Sequence, residues 1–353
     1  MPNAFATRLA FVAALCLGGG VHAQDALTSR APDRQAKLEA GARAEGEVVI
    51  YSSMIVNQAL RPLTTAFMAK YPFVKMTYWR GDTEQIIAKV GAETRGGNVV
   101  VDVIEGTGGG ERAADAGFAQ PYDTPALDAL PARYRDPGHN WAATRLSYFG
   151  MAFNTRLAPE PPKSYEDLLD PKWAGKLAWR IESASGTPLF ITNLRLAWGE
   201  ARAAAYFEKL AGQKVVNFGA GSARTLVDRV IAGEYPIALN IFAHHPLISK
   251  AKGAPVDSRV FDPTPATAAT LLVAKGARHP NAAMLLVDFI LSPEGQAILS
   301  AAEYFPSRPD VAPMEKLASV IPSRAGVAEN FIGPEALKDN TDASEAIFQK
   351  LFR

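Results

Sequence analysis

Two adjacent imidazoles, His244 and His245, followed by Pro246, are the most unusual pair of chemistry-bearing residues in this chain. Three readings are open for them: contact with hydroxyls or an anion, membership of a metal site, or a surface turn. An extended segment sends successive side chains to opposite faces, so one imidazole of the two is expected to face a cleft. A zinc site needs three or four ligands. His139 and His279 stand at no spacing that would supply them, so the expectation is a cleft histidine without a metal. The second candidate is Ser185-Gly186-Thr187, just ahead of a helical stretch. Backbone N–H groups at a helix start, the two hydroxyls and the positive end of the helix dipole would receive a carboxylate or phosphate there. An ordinary N-cap accounts for the same residues.

Weaker candidates surround these. The glycine-rich stretch 106–110 lacks the Lys-Ser/Thr ending of a nucleotide-binding loop, so it points to ligand contact through Thr107 and Gly108 or to a plain turn. Ser52 and Ser53 would donate hydroxyl hydrogen bonds or cap the helix that follows. Arg80 and Arg180 stand at strand ends, where a guanidinium fork suits a carboxylate or phosphate; a surface salt bridge is the competing reading. Arg180 is preferred because it lies five residues before Ser185. Glu105 and Asp262 offer carboxylates that no spacing assembles. There is no Gly-x-Ser-x-Gly elbow and no His-Glu-x-x-His, and the one cysteine, Cys16, falls in the N-terminal apolar run. The expectation is a binding protein with no catalytic residues and no cofactor.

The elements that must position these residues alternate between strand and helix. Val48, Val49, Ile50 and Tyr51 form a short apolar run ending at Ser52-Ser53, and Leu60, Leu63, Phe67 and Met68 then recur at helical spacing. The unit repeats as a strand over 74–79, a capping turn at Gly81-Asp82-Thr83 and a helix over 84–95, then as a strand over 99–104 and a helix over 111–116. A second set follows: strands over 148–154, 176–181, 215–218 and 235–241, with helices over 188–198 and 223–232. Such alternation predicts an α/β fold with mainly parallel sheets. Ligands of such sheets bind outside the carboxyl ends of the strands, here Ser52-Ser53, 80–82 and 106–108.

The N-terminus reads as an export signal: Arg8, an apolar run over 9–17, and Val21-His22-Ala23 as a cleavage site. That run is too short to span a bilayer. The localisation expected is the periplasm, with cleavage near Ala23. The whole chain has 37 Lys+Arg against 36 Asp+Glu, which gives no charge-based reason to bind nucleic acid.

Several stretches resemble the ferric-binding protein family of ABC-transporter periplasmic receptors, with the type 2 periplasmic-binding fold. They are 48–53, 81–93, 101–108, Ser164-Tyr165-Glu166-Asp167-Leu168, Asp170-Pro171-Lys172-Trp173-Ala174-Gly175-Lys176, Ser185-Gly186-Thr187, and 279–296. The resemblance implies two lobes joined by crossover strands near 147–154 and 261–270. It places lobe one at 47–146 with 268–310, and lobe two at 147–267 with 311–353, after a signal peptide (1–23) and a leader (24–46). It also implies a monomer that closes on a small anionic solute and delivers it to an inner-membrane ABC permease. The ligand-contacting set expected from these readings is Ser52, Ser53, Thr107, Gly108, Arg180, Ser185, Gly186, Thr187, His244 and His245. Ferric-binding members hold iron with two adjacent tyrosines after the strand that here is 237–241. This chain has Phe242-Ala243-His244-His245 there and no tyrosine pair anywhere. Fe(III) needs several anionic oxygen donors, so an organic anion is expected, with ferric iron as the alternative.

Overall fold

The computed structural model describes residues 26–108, 110–181, 186–219 and 222–353. The export signal and Ser185 lie outside them. The first sheet is built on β1 (Glu47–Ser52), which pairs in parallel with β2 (Lys75–Arg80) and β3 (Val103–Thr107). Ser52 stands opposite both Arg80 and Glu105, so three strand ends finish at one level. Helices Arg61–Lys70 and Thr83–Arg95 return the chain between these strands. The second helix starts with a capping box in which Gln85 Oε1 accepts from the Asp82 N–H at 3.0 Å. The short β4 (Ala119–Gln120) follows on the far side.

β5 (Ala142–Asn154) belongs to both halves of the molecule. Its first half pairs with β10 (Thr264–Ala274), Ala142 opposite Leu271 and Tyr148 opposite Ala266. Its second half pairs with β8 (Ile237–Phe242) and β9 (Val256–Arg259). The strand changes partners at a register shift beside Gly150, where a Cβ would stand 2.4 Å from the Arg259 carbonyl oxygen; only glycine fits. β6 (Leu177–Arg180) runs parallel between β8 and β7 (Val216–Phe218). The strand order is therefore β2-β1-β3-β10-β5-β8-β6-β7, with helices on both faces. β5 and the segment entering β10 are the crossing strands expected near 147–154 and 261–270.

β3 departs from expectation. Its strand begins at Val103, not near residue 99, so Glu105 and Gly106 lie within the strand rather than in a loop. The cause is Asp102, whose buried carboxylate accepts from the Val49 N–H at 2.9 Å and so replaces a rung of the ladder.

Two large apolar cores fill the molecule. One lies under the first sheet, where Ile50, Phe67, Leu285 and Phe289 are buried. The other packs Trp179, Phe190, Phe207 and Leu210 under the second sheet. The leader is more than a polar lead-in, because helix Arg34–Glu45 puts Leu38 and Ala42 into the first core. Residues near 320, expected with the second sheet, also send Leu317, Val320 and Ile321 into that core, which Ala243, Leu247 and Val260 enter as well. Helix Pro334–Phe352 touches both halves. Glu335 accepts from Trp141 Nε1 at 3.2 Å and Lys338 pairs with Asp115. Further along, Ser344 bonds Thr192 at 2.8 Å, and Phe348 packs against Trp179. Among the described residues no single helix is long and apolar enough to cross a membrane.

Candidate functional site

The ends of β1, β2, β3, β6 and β8 converge on a cavity of about 500 Å³ between the two sheets. Ser53, Arg80, Asp82, Glu84, Thr107 and Gly108 line it from the first side, and Arg180, Ser222, Arg224, Phe242, His244 and His245 from the second. Arg145 of β5 and Tyr304 stand where the two sides meet. Gly108 has φ +70°, the left-handed backbone that favours glycine at the end of β3.

On the first side everything is organised around Glu105, which is fully buried. Its carboxylate accepts from Ser52 Oγ at 2.7 Å, the Ser53 N–H at 3.1 Å and Ser53 Oγ at 3.3 Å. It pairs with Arg145 Nη2 at 3.2 Å. A charge this deep is tolerated only when paired and hydrogen-bonded. The same Nη2 donates to Ser53 Oγ at 3.1 Å, and the guanidinium stacks 4.5 Å from the Tyr304 ring centroid. Tyr304 is fixed in turn, since its hydroxyl accepts from the Ile55 N–H at 3.2 Å. Ser52, expected to donate into the cleft, is therefore turned away from it to hold Glu105. Arg80, at the outer edge, pairs with Asp82 at 3.1 Å.

On the second side the expected anion loop is largely occupied by its own backbone. Thr187 is fully buried and its hydroxyl donates to the Arg180 carbonyl at 2.9 Å. The Gly186 carbonyl accepts from Asn240 Nδ2 at 2.7 Å. Neither lines the cavity; they fix the end of β6 and thereby Arg180. Arg224, which the sequence reading passed over, pairs with Asp228 at 2.9 Å and donates to the His245 carbonyl at 3.4 Å.

The histidine pair also corrects the expectation. His244 opens helix His244–Lys250, and consecutive helical residues lie about 100° apart rather than on opposite faces. Both imidazoles consequently line the cavity. His244 is 1% exposed, and neither of its ring nitrogens has a hydrogen-bond partner; His245 Nδ1 is likewise buried without one. The His244 ring meets edges of His245, Tyr304 and Phe305 with centroids 4.5, 5.8 and 5.6 Å away. Burial, then the neighbouring imidazole and Arg145, hold His244 well below the ordinary histidine range. His245 is pushed down to about 3, by burial first and then by Arg224, Arg145 and Arg180. Both are neutral at physiological pH. No group of three or more His, Cys, Asp or Glu able to hold a metal occurs among the described residues.

Of the expected contacts, Ser53, Thr107, Gly108, Arg180, His244 and His245 come together around the cavity. Arg145, Arg224 and Tyr304 were missed. A signal for Arg145 existed: it interrupts the apolar stretch 142–154, and a charge in a buried strand demands a partner.

Residues 100–325 match the family model described as bacterial extracellular solute-binding protein. An uncharacterised protein of Haemophilus influenzae is 32% identical over 275 residues, covering 74% of this chain and 77% of the relative. Iron uptake protein A1 of Synechocystis is 25% identical over 276 residues, with 73% and 74% covered. A putative 2-aminoethylphosphonate-binding periplasmic protein of Salmonella typhi is 24% identical over 214 residues, with 58% and 62% covered. Among solved structures, the periplasmic binding protein P5PA superposes with a TM-score of 0.72 at 21% identity, over 87% of this chain and all of that one (100%). AfuA from Actinobacillus pleuropneumoniae, with fructose-6-phosphate bound, gives 0.69 at 24% identity over 87% and 97% of the two chains. These likenesses are to the fold.

Proposed function

This chain belongs to the bacterial extracellular solute-binding protein family, and from that premise we propose that it captures a small organic anion bearing a phosphate, phosphonate or carboxylate. As a periplasmic solute-binding protein it serves an ABC importer and carries out no chemistry on its ligand. The anion reading rests on one observation: four arginines, Arg80, Arg145, Arg180 and Arg224, line a single cavity whose lining carries, among the described residues, only two carboxylates, Asp82 and Glu84, each paired with an arginine. Forked guanidinium groups in a partly desolvated cleft favour oxyanions. The division into two lobes, 47–146 with 268–310 and 147–267 with 311–353, is part of the proposal, with the exception that 317–321 pack into the core of the first lobe. β5 and the start of β10 act as the hinge, and the receptor works as a monomer that its ligand closes by population shift.

Ferric iron is the competing ligand, favoured by the likeness to an iron uptake protein. Guanidinium charges repel a trivalent cation, and the carboxylates at hand are already paired, Glu105 with Arg145, Asp82 with Arg80 and Glu84 with Arg112. Tyr304 alone brings a phenol to the described lining. The test is mass spectrometry of the small molecule retained on purification, followed by calorimetry with inorganic phosphate, alkyl phosphonates and carboxylates, and a ferric citrate challenge. A retained organic anion and anion heats of binding are expected. A coloured, stoichiometric iron complex that survives desalting would overturn the reading.

A further inference from the structure

We propose that helix Pro334–Phe352 is a latch: it is carried by the second lobe, catches the first through Glu335 and Lys338, and biases the ligand-free receptor toward its closed form. This rests on the two-lobed reading and is independent of which solute is bound. The segment from residue 329 onward is tied to both sides of the molecule. Strand Glu329–Phe331 pairs in parallel with β10 where that strand enters the crossing, Thr264 opposite Glu329 and Ala266 opposite Phe331. The helix that follows lies against both lobes. A rotation of one lobe against the other must therefore break one set of its contacts.

The two sets are unequal. On the second side the fully buried Ser344 hydroxyl bonds Thr192 at 2.8 Å and accepts from Arg195 Nη1 at 3.0 Å. The Phe352 carbonyl accepts from Asn217 Nδ2 at 2.7 Å, and the Phe348 and Phe352 rings meet Trp179 with centroids 6.2 and 4.7 Å away. Buried hydrogen bonds and aromatic packing of this kind are costly to give up. On the first side Glu335 Oε1 accepts from Trp141 Nε1 at 3.2 Å, and Lys338 pairs with Asp115, their side chains 42% and 48% exposed. An ion pair this exposed exchanges readily with water. Between the helix and helix Gly110–Asp115 lies a cavity of about 480 Å³, lined by Gly108, Arg112, Pro334, Leu337, Lys338 and Thr341, so close packing holds little of this seam. The first-lobe seam is the one that gives way. Leu337 connects it to the site, because it also lines the ligand cavity and its Cδ2 lies 3.1 Å from where a Cβ on Gly108 would stand.

The test places spin labels at Ala88→Cys and Ala232→Cys in a Cys16→Ser background. These are exposed alanines on helices Thr83–Arg95 and Ala223–Ala232, whose first turns line the ligand cavity from opposite sides. Pulsed dipolar spectroscopy on the dialysed, ligand-free protein should resolve short and long separations. The long-to-short ratio should rise about threefold or more in Glu335→Ala/Lys338→Ala, with thermal melting to check that the variant is folded. Reversing the ion pair, Asp115→Lys with Lys338→Asp, should restore the wild-type ratio that either single reversal raises, which a general loosening of the helix would not do. A double alanine variant that matches the wild type overturns the latch. Lobe closure then stands if two separations are populated, and falls with the latch if a single fixed separation is seen. A shift toward short separations would also overturn the inference, since the helix would then hold the lobes apart.

Discussion

The two walls of the cavity are built on opposite principles. On the first sheet, Glu105, Arg145, Ser52 and Ser53 close a network in which the buried carboxylate is met by two hydroxyls, an amide and a guanidinium. On the second sheet, the two imidazoles are pressed among aromatic rings, and three of their ring nitrogens have no partner. The first wall pairs its charges within the protein, leaving Glu105 Oε1 and Arg145 Nε without a hydrogen bond, whereas on the second wall His244 has no polar partner at all. A preorganised wall reduces the ordering cost of capture.

The harshest way to break this comparison is to remove Arg145. Arg145→Met leaves Glu105 buried without its counter-charge and should cost about 3–5 kcal/mol of stability, read as a fall in the urea midpoint. Adding Glu105→Gln should return part of that loss, since the pair is coupled. A single variant as stable as the wild type would mean that the first wall is not held together by this pair. On the second wall the effect should appear in binding. Arg180→Ala or Arg224→Ala should each weaken the retained anion by about 1.5–3 kcal/mol, roughly 10- to 100-fold in Kd by calorimetry.

Acid titration separates the walls in another way. Both imidazoles have folded-state pKa values below the unfolded one, His245 at about 3. The unfolded chain therefore binds more protons once the pH drops below about 6.5, and stability is lost as pH falls from there toward the folded value. The expected slope is on the order of 1 kcal/mol per pH unit for each imidazole, measured by urea unfolding at pH 7.5 and 5.5. His244→Phe should flatten it, and an unchanged slope would mean that this ring is not held neutral by burial. The smallest effect is expected at Thr187, whose hydroxyl only ties the Arg180 carbonyl. Thr187→Val should lower stability by about 1 kcal/mol, with a loss of affinity smaller than that of Arg180→Ala. A larger loss of affinity would restore Thr187 as a direct ligand contact.

The sequence by itself determined the alternation of strands and helices, because apolar runs and 3.6-residue periodicity are local properties. Helix Ala223–Ala232 falls where the pattern placed it, and β1 ends at Ser52 as its polar stop predicted. It also determined that the tyrosine pair of the ferric-binding relatives is missing and that Arg180 stands at a strand end. Tertiary structure decided which way the hydroxyls face. Ser52 and Thr187 are short polar residues that serve equally as ligand donors or internal ties, and only their neighbours, Glu105 and the Arg180 carbonyl, settle it. It also decided where β3 begins, since the Asp102 carboxylate bonds an amide 53 positions away in the chain. It brought Arg145 to Arg224, on a strand and a helix that nothing in the sequence places together. The histidines were misjudged for the same kind of reason. Their orientation depends on whether the chain is extended or already coiling at residue 244, and that is fixed by β8 ending at Phe242 against β5, not by the two residues themselves.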